Sequence, residues 1–172
     1  MTIRRHAAAL LPALLITAIA AAPAFTQGRG RGMMGDAAHA ADMQVFHQLF
    51  EHRTEITRQV TKLANGIETL TESSNPEVAR LLQAHVASML ARVDQERAIH
   101  LRDPLFAELF RHADRIAVRH EMTDKGVYVF ESSYDPYVVS LLQAHADVID
   151  AFLANGRSEM MKNHSLPPKP PQ

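Results

Sequence analysis

Apolar residues recur at spacings of three and four in four segments of the chain, which predicts four amphipathic helices. The first and third segments share one pattern, with apolar positions at Phe46, Leu49, Phe50, Ile56 and Val60 and at Leu105, Phe106, Leu109, Phe110 and Ile116. The second and fourth are longer, with apolar positions at Val78, Leu81, Leu82, Val86, Met89, Leu90 and Val93 and at Val138, Leu141, Leu142, Ile149, Phe152 and Leu153. Each predicted helix therefore has one face that must be buried.

Three of these helices begin with a capping residue followed by proline. The pairs are Asn75-Pro76, Asp103-Pro104 and Asp135-Pro136. An Asn or Asp side chain accepts hydrogen bonds from the first turn, and proline suits the first helical position because its missing N–H needs no partner there. The first helix lacks such a pair, and we expect it to begin near Asp42, whose carboxylate can cap it.

Between the third and fourth helices the apolar period changes to two. Val118, His120 and Met122 alternate with polar residues, a turn at residues 124–126 follows, and residues 127–130 form an apolar run. This pattern predicts a β-hairpin. In the first half, residues 59–63 fit either a strand or an extension of the first helix, and only the repeat described next favours a hairpin there.

The second half of the chain repeats the first at an offset of sixty residues without a gap. Residues 45–86 and 105–146 agree at 14 of 42 positions, which include Gly66/Gly126, Ser73/Ser133, Pro76/Pro136 and the run Leu-Leu-Gln-Ala-His at 81–85 and 141–145. A residue kept in both copies is placed twice by the same local geometry. Apart from glycine, proline, serine and apolar residues, the two copies share one glutamine position and two histidine positions, His52/His112 and His85/His145.

These patterns predict an α+β fold that is mainly helical. An internally duplicated helix–hairpin–helix unit would have pseudo-twofold symmetry, with four main helices packed with two β-hairpins. We expect a single domain over residues 42–164, with halves at 42–100 and 101–164.

Both ends of the chain differ in composition from this domain. Residues 1–24 carry Arg4 and Arg5, then an apolar run and Ala-Pro-Ala, which indicates a cleaved signal peptide and a periplasmic or secreted protein. Residues 25–41 are rich in Gly, Ala and Met and are expected to form a flexible leader. Residues 165–172 are a proline-rich tail. No later segment approaches the length of a transmembrane helix.

Composition narrows the possible chemistry. The chain has no cysteine, which excludes disulfides, thiolate metal sites and covalent haem attachment through Cys-x-x-Cys-His. Its formal net charge of −1 gives no indication of nucleic-acid binding. It contains no Gly-x-Ser-x-Gly, no His-Glu-x-x-His and no phosphate-binding glycine loop, which favours a non-enzymatic function.

The duplicated histidines are the leading candidates for a functional site. His52, His85, His112 and His145 share helix faces with apolar residues, so each should point toward the interior or its rim. Imidazole is the common nitrogen ligand of copper, zinc and haem iron, and a twofold axis can bring equivalent histidines together. The sequence thus predicts a metal site for copper or zinc, or a site for haem b, with Glu55 or Asp114 as partners of ligating rings.

Weaker metal candidates lie nearby in the sequence. His47, His120 and Met89 are further possible ligands. Two groups of methionine and histidine, Met33, Met34, His39, Met43 and His47 near the front and Met160, Met161 and His164 near the end, could also suit copper.

The alternative hypothesis is a non-catalytic periplasmic interaction module. In that case each imidazole is satisfied by a neighbouring carbonyl or glutamine, and the histidines are structural or tune binding to pH. A partner could add a strand to an exposed hairpin edge at residues 127–130. The distances between the rings, and their hydrogen-bond partners, separate the two hypotheses.

Overall fold

The computed structural model describes residues 37–95 and 97–169. In chain order its elements are α1 (Ala37–Glu51), β1 (Ile56–Leu63), β2 (Gly66–Ser73), α2 (Pro76–Asp94), α3 (Pro104–Arg111), β3 (Ala117–Thr123), β4 (Gly126–Ser132), α4 (Pro136–Asn155) and α5 (Arg157–Met160). A short 3-10 turn precedes each hairpin, at Arg53–Glu55 and at Ala113–Arg115. The order helix, turn, hairpin, helix therefore occurs twice.

The three predicted helix starts are confirmed. The side chains of Asn75, Asp103 and Asp135 accept hydrogen bonds from the backbone amides two residues later, at 3.0, 2.9 and 2.9 Å. Each is followed by proline as the first helical residue, because the geometry of the first turn leaves that position without an amide partner.

The start of the first helix was predicted wrongly. Helix α1 begins at Ala37, within the segment expected to be a flexible leader. Asp42 does not cap it but lies buried in its middle, where it accepts hydrogen bonds from Arg92 at 2.5 Å and from Ser88, both in α2. Asp42 thus belongs to a buried ion pair and does not mark a helix end. The predicted signal peptide, residues 1–24, lies outside the described residues.

The prediction of a mainly helical fold with four main helices and two β-hairpins is wrong. The described residues form five helices and one four-stranded antiparallel sheet in the order β1-β2-β4-β3, with about 54% of residues helical and 23% in strands. The hairpins merge because β2 pairs with β4. An isolated hairpin is marginally stable and exposes unpaired backbone groups, and joining two hairpins satisfies the inner edges.

The pairing of β2 with β4 is symmetric about one residue pair. Thr69 lies opposite Val129, its own counterpart in the repeat, while Gly66 pairs with Ser132 and Glu72 pairs with Gly126. The register is therefore unchanged when the two halves are exchanged. A pseudo-twofold axis passes between Thr69 and Val129.

The duplicated glutamine connects each half to the hairpin of the other half. Gln83 in α2 donates to the carbonyl of Thr123 at 2.8 Å, and Gln143 in α4 donates to the carbonyl of Leu63 at 2.9 Å. Thr123 and Leu63 are themselves equivalent in the repeat. The two halves are thus held together by side chains as well as by the sheet.

The duplicated glycines are required by the close approach of the two inner strands. A Cβ atom at Gly66 would lie 1.9 Å from the carbonyl oxygen of Glu131, and one at Gly126 would lie 2.1 Å from that of Thr71. No side chain can be accommodated at either distance, so these positions must lack a Cβ.

The helices pack against one face of the sheet. Ile67 of β2 contacts Leu142 and Ala146 of α4, and Leu49 of α1 packs with Val78 and Leu82 of α2. Of the described helices, Pro136–Asn155 is long and apolar enough by composition to cross a membrane. Its central leucines, 141 and 142, are completely buried, so its apolar character is that of the core helix of this domain.

The proposed strand-acceptor edge is not an edge. Residues 127–130 belong to β4, which pairs with β2 on one side and with β3 on the other. The outer strands of the sheet are β1 and β3. The apolar run reflects the burial of β4 in the centre of the sheet. The residue pattern within one strand does not show whether that strand is central or lies at an edge.

Replacing either inner-strand glycine should strongly destabilise the fold. We expect Gly66→Ala and Gly126→Ala each to lower the free energy of unfolding by about 3 kcal/mol or more, because the added Cβ forces β2 and β4 apart. Urea denaturation followed by circular dichroism measures the loss. Thr61→Ala on the outer strand β1 is the control and should cost less than about 1 kcal/mol. Stability close to wild type in both glycine variants would contradict the close approach.

Candidate functional site

His85 and His145 occupy equivalent positions in α2 and α4, and each packs against an equivalent phenylalanine. The ring centroids of His85 and Phe46 are 4.5 Å apart, and those of His145 and Phe106 are 5.1 Å apart, both in edge-to-face geometry. Phe46 lies in α1 and Phe106 in α3, so the first helix of each half covers the histidine of its second helix. Both histidine residues are partly exposed to solvent.

Both imidazoles are held in their neutral form. Burial lowers the pKa of His85 to about 4, against a smaller opposing effect of the Asp42 carboxylate. Burial also lowers the pKa of His145 to about 4, assisted by the positive charge of Arg58 and by His85. A positive charge on His85 would therefore disfavour protonation of His145.

Neither ring forms a hydrogen bond with another residue in the described part of the chain. Nδ1 of His145 is buried and has no partner there. The neighbouring glutamines do not satisfy the rings, because Gln83 and Gln143 donate to the opposite hairpins. A buried imidazole nitrogen without a partner costs free energy and requires an explanation.

The structure separates His52 and His112 from each other. Each precedes a 3-10 turn that leads into an outer strand, β1 or β3. These strands are three strand spacings apart, about 14 Å, and they begin at opposite ends of the sheet, because Ile56 pairs with Ser73 whereas Ala117 pairs with Ser132. The two histidines thus lie at diagonal corners, where they cannot share an ion.

Each of these two histidines has a carboxylate neighbour. Nδ1 of His52 donates to Glu55 at 2.6 Å, which raises the pKa of His52 and lowers that of Glu55. His112 has Nε2 3.5 Å from the buried Glu108, and Asp114, expected as its partner, makes no contact with it. Glu55 is therefore a partner of His52 as expected, but in a surface ion pair.

The weaker candidates are dispersed. His47 is exposed near the C-terminal end of α1, and His120 is exposed on the outer strand β3. Met89 follows His85 by one turn in α2 and is partly buried. Met33 and Met34 lie outside the described residues, whereas His39 and Met43 lie in α1.

No group of three or more His, Asp or Glu side chains that could hold a metal ion occurs in residues 37–95 and 97–169. Comparison with protein-family models, with curated proteins and with solved structures finds no match for this chain. What the protein does must therefore be inferred from its own residues.

His164 contacts two carboxylates. Its Nδ1 lies 2.5 Å from Asp103 Oδ2, and its Nε2 lies 3.2 Å from Glu159 Oε1. Both carboxylates are buried, and Asp103 also caps α3. The sequence indicated His164 only as part of a weak copper group with Met160 and Met161. The two ring nitrogens of His164 contact two different carboxylates, so the side chain links the segment after α5 to the start of α3 and to α5 itself.

A carboxyl group near Arg58, that of Glu131, was not anticipated. Glu131 faces the helices from β4, and burial raises its pKa to about 7, with the nearby Arg58 opposing the shift. Arg58 itself is buried, with hydrogen bonds to the carbonyl of Ala146 at 3.2 Å and to Asp150. The position of Arg58 in strand β1 gave no indication in the sequence that its side chain would be buried.

The depressed pKa values of His85 and His145 predict destabilisation by acid. The unfolded chain binds these protons near pH 6.5 and the folded protein only near pH 4, so stability is lost as the pH falls through this window. Urea denaturation at pH 7 and pH 4.5 should show a loss of a few kcal/mol. Glu131 opposes this trend, because its raised pKa removes stability as the pH rises toward 7.

The histidine contribution can be isolated with a double variant. His85→Leu/His145→Leu retains Glu131, and its unfolding free energy should decline less between pH 7 and pH 4.5 than that of the wild type. Equal slopes in the two proteins would show that these rings are not held neutral.

Removing the His164 side chain should destabilise the protein. His164→Ala leaves Asp103, 1% exposed, without its imidazole partner, and a buried carboxylate deprived of a partner costs about 2 kcal/mol or more. Thermal and urea unfolding at pH 7 measure the loss. The control is His120→Ala on the exposed outer strand, which should change stability by less than about 0.5 kcal/mol. Similar effects of the two substitutions would refute the structural link.

Proposed function

We propose that the protein is an exported metal-binding protein that holds one transition-metal ion, copper in the first place, between His85 and His145. The observation that carries the proposal is the state of these two rings. They occupy equivalent positions in the two halves, both are neutral, His85 contributes to the lowered pKa of His145, and Nδ1 of His145 has no hydrogen-bond partner among the described residues. A neutral imidazole with a free nitrogen is the form that ligates metals.

The choice of copper rests on the small number of protein ligands. Zinc sites usually have three or four protein ligands, whereas no third His, Asp or Glu accompanies the pair among the described residues. Met89, one turn after His85, supplies a thioether, a soft ligand that favours Cu(I). Phe46 and Phe106 occupy the space beside the rings, which favours a single ion over the haem macrocycle.

A second candidate function is supported by the other face of the sheet. Leu70 lies opposite Tyr128, and Glu68 lies opposite Phe130, on the face that the helices do not cover. These residues are partly exposed. Large apolar side chains on an open sheet face are typical of protein-interaction surfaces. A protein that binds neither metal nor haem, and whose complexes are lost in Phe130→Glu, would support this function instead.

Metal binding by the protein after export and removal of the predicted signal peptide tests the proposal. Isothermal titration with Cu(I) and with Zn(II), together with elemental analysis, should give one equivalent of copper per chain. His85→Ala and His145→Ala should each weaken copper binding at least about tenfold. Binding should persist at pH 5, because both rings stay neutral well below the usual histidine pKa.

The matched controls are His52→Ala and His112→Ala. These residues are duplicated as well but lie at opposite corners of the sheet, so copper binding should be unchanged. Haemin added to the apoprotein provides a separate test, because bis-imidazole ligation would give a Soret band that both site variants abolish. Absence of copper binding, or an equal loss in all four variants, would overturn the proposal.

A further inference from the structure

Three exposed apolar side chains lie around the contacts of His164. Leu101, Met161 and Leu166 expose 49%, 72% and 42% of their surface. Each lies two residues along the chain from one of the side chains that these contacts bring together, Asp103, Glu159 and His164 itself. The loop before α3, the end of α5 and the segment after α5 therefore present apolar side chains to solvent in one region of the molecule.

The segment after α5 has contacts with the domain at two points. At its beginning, His164 contacts the two buried carboxylates described above. At its end, the ammonium group of Lys169 lies 5.1 Å from the ring centroid of Tyr137 and 3.8 Å from Glu108. Leu166 lies between these points, yet its side chain is exposed. The exposed leucine thus belongs to a segment that is packed on the domain.

The exposed charged side chains of this region are all basic. Residues 97–112 and 155–169 contain six Lys and Arg residues and three Asp and Glu residues. All three acidic side chains are buried, and each has a partner, in the pairs Asp103–His164, Glu108–Arg111 and Glu159–Lys162. Arg102 is exposed and forms no ion pair with another described residue. The fold therefore buries the negative charge of these two segments and leaves positive charge at the surface.

This positive charge contrasts with the rest of the described chain. With six basic and three acidic residues, the two segments carry a formal net charge of +3. The other described residues include eight Lys and Arg against fourteen Asp and Glu, a formal net charge of −6. A charge distribution of this kind turns one side of a protein toward an anionic partner.

We propose that the two segments form a membrane-binding surface that associates reversibly with anionic phospholipid bilayers. This basic apolar surface consists of six exposed residues, Leu101, Arg102, Met161, Lys162, Leu166 and Lys169. Basic side chains interact with anionic headgroups, while leucine and methionine side chains enter the boundary between headgroups and acyl chains. The surface shares no residue with the His85 and His145 pair, so the proposal is independent of metal binding.

The arrangement of these residues favours a bilayer over a folded protein partner. Arg102 directly follows Leu101, and Lys162 directly follows Met161, so each of these apolar side chains has a basic neighbour. A folded partner would have to match this alternation with a shaped apolar and acidic surface of its own. A bilayer needs no such match, because its headgroups and acyl chains rearrange around each side chain.

Sedimentation with lipid vesicles tests the proposal. The protein without its predicted signal peptide should bind phosphatidylglycerol vesicles, bind phosphatidylcholine vesicles much more weakly, and dissociate as the NaCl concentration rises. Arg102→Gln should lower the partition coefficient about fivefold, the effect typical of one basic residue at an anionic membrane surface. Met161→Ser/Leu166→Ser should lower it at least about tenfold, because two apolar side chains no longer enter the bilayer.

The matched controls are Met122→Ser and Arg119→Gln, both on the outer strand β3. Met122 has the same exposed fraction as Leu166, 42%, and Arg119 is exposed. Both variants should bind vesicles as the wild type does. Circular dichroism shows whether each variant is folded. If Met161→Ser/Leu166→Ser is not folded, Arg102→Gln and the effect of salt decide the question.

Three results would overturn the proposal. The first is absence of binding to phosphatidylglycerol vesicles at low ionic strength. The second is equal binding to the two kinds of vesicle, and the third is an equal loss of binding in the surface variants and the controls. Binding to polyglutamate but to neither kind of vesicle, weakened in Arg102→Gln, would assign the surface to an acidic protein partner instead.

Discussion

The pairing of β2 with β4 across the pseudo-twofold axis is the constraint on which the remaining structure depends. Because Thr69 lies opposite its own repeat equivalent, Val129, the register that satisfies one half also satisfies the other. The same pairing brings backbone against Gly66 and Gly126, where a Cβ cannot fit. It also places each hairpin under the second helix of the other half. A single two-stranded hairpin is only marginally stable, so the sheet depends on the pairing of the two duplicated hairpins.

The duplicated segment Leu-Leu-Gln-Ala-His carries this arrangement in one helical turn. Its second leucine is buried, and in α4 it packs against Ile67 of the sheet. The glutamine reaches the opposite hairpin, and the histidine two residues later lies about 200° further around the helix. It therefore faces the phenylalanine of its own half. Within this segment the glutamine joins the two halves, and the histidine is a neutral imidazole without a hydrogen bond to another described residue.

Several differences between the two halves are differences in buried charge. Arg58 and Glu131 have no charged counterparts, since their equivalents are Val118 and Thr71. The contact of His164 with Asp103 is likewise not repeated, because the equivalent residues sixty positions earlier are Pro104 and Met43.

The sequence by itself determined the local elements and the duplication. Asn75-Pro76 and Asp135-Pro136 mark helix starts through contacts within one turn, and the repeat correctly favoured a hairpin over a longer first helix. The sequence could also place His85 and His145 on the apolar faces of their helices, where both are partly buried. Only the tertiary structure decided that the hairpins form one sheet, that His52 and His112 lie at opposite corners, and that Asp42 and His164 enter buried ion pairs. Periodicity reports which face of an element is buried, but pairing between distant segments depends on three-dimensional contacts that no local pattern encodes.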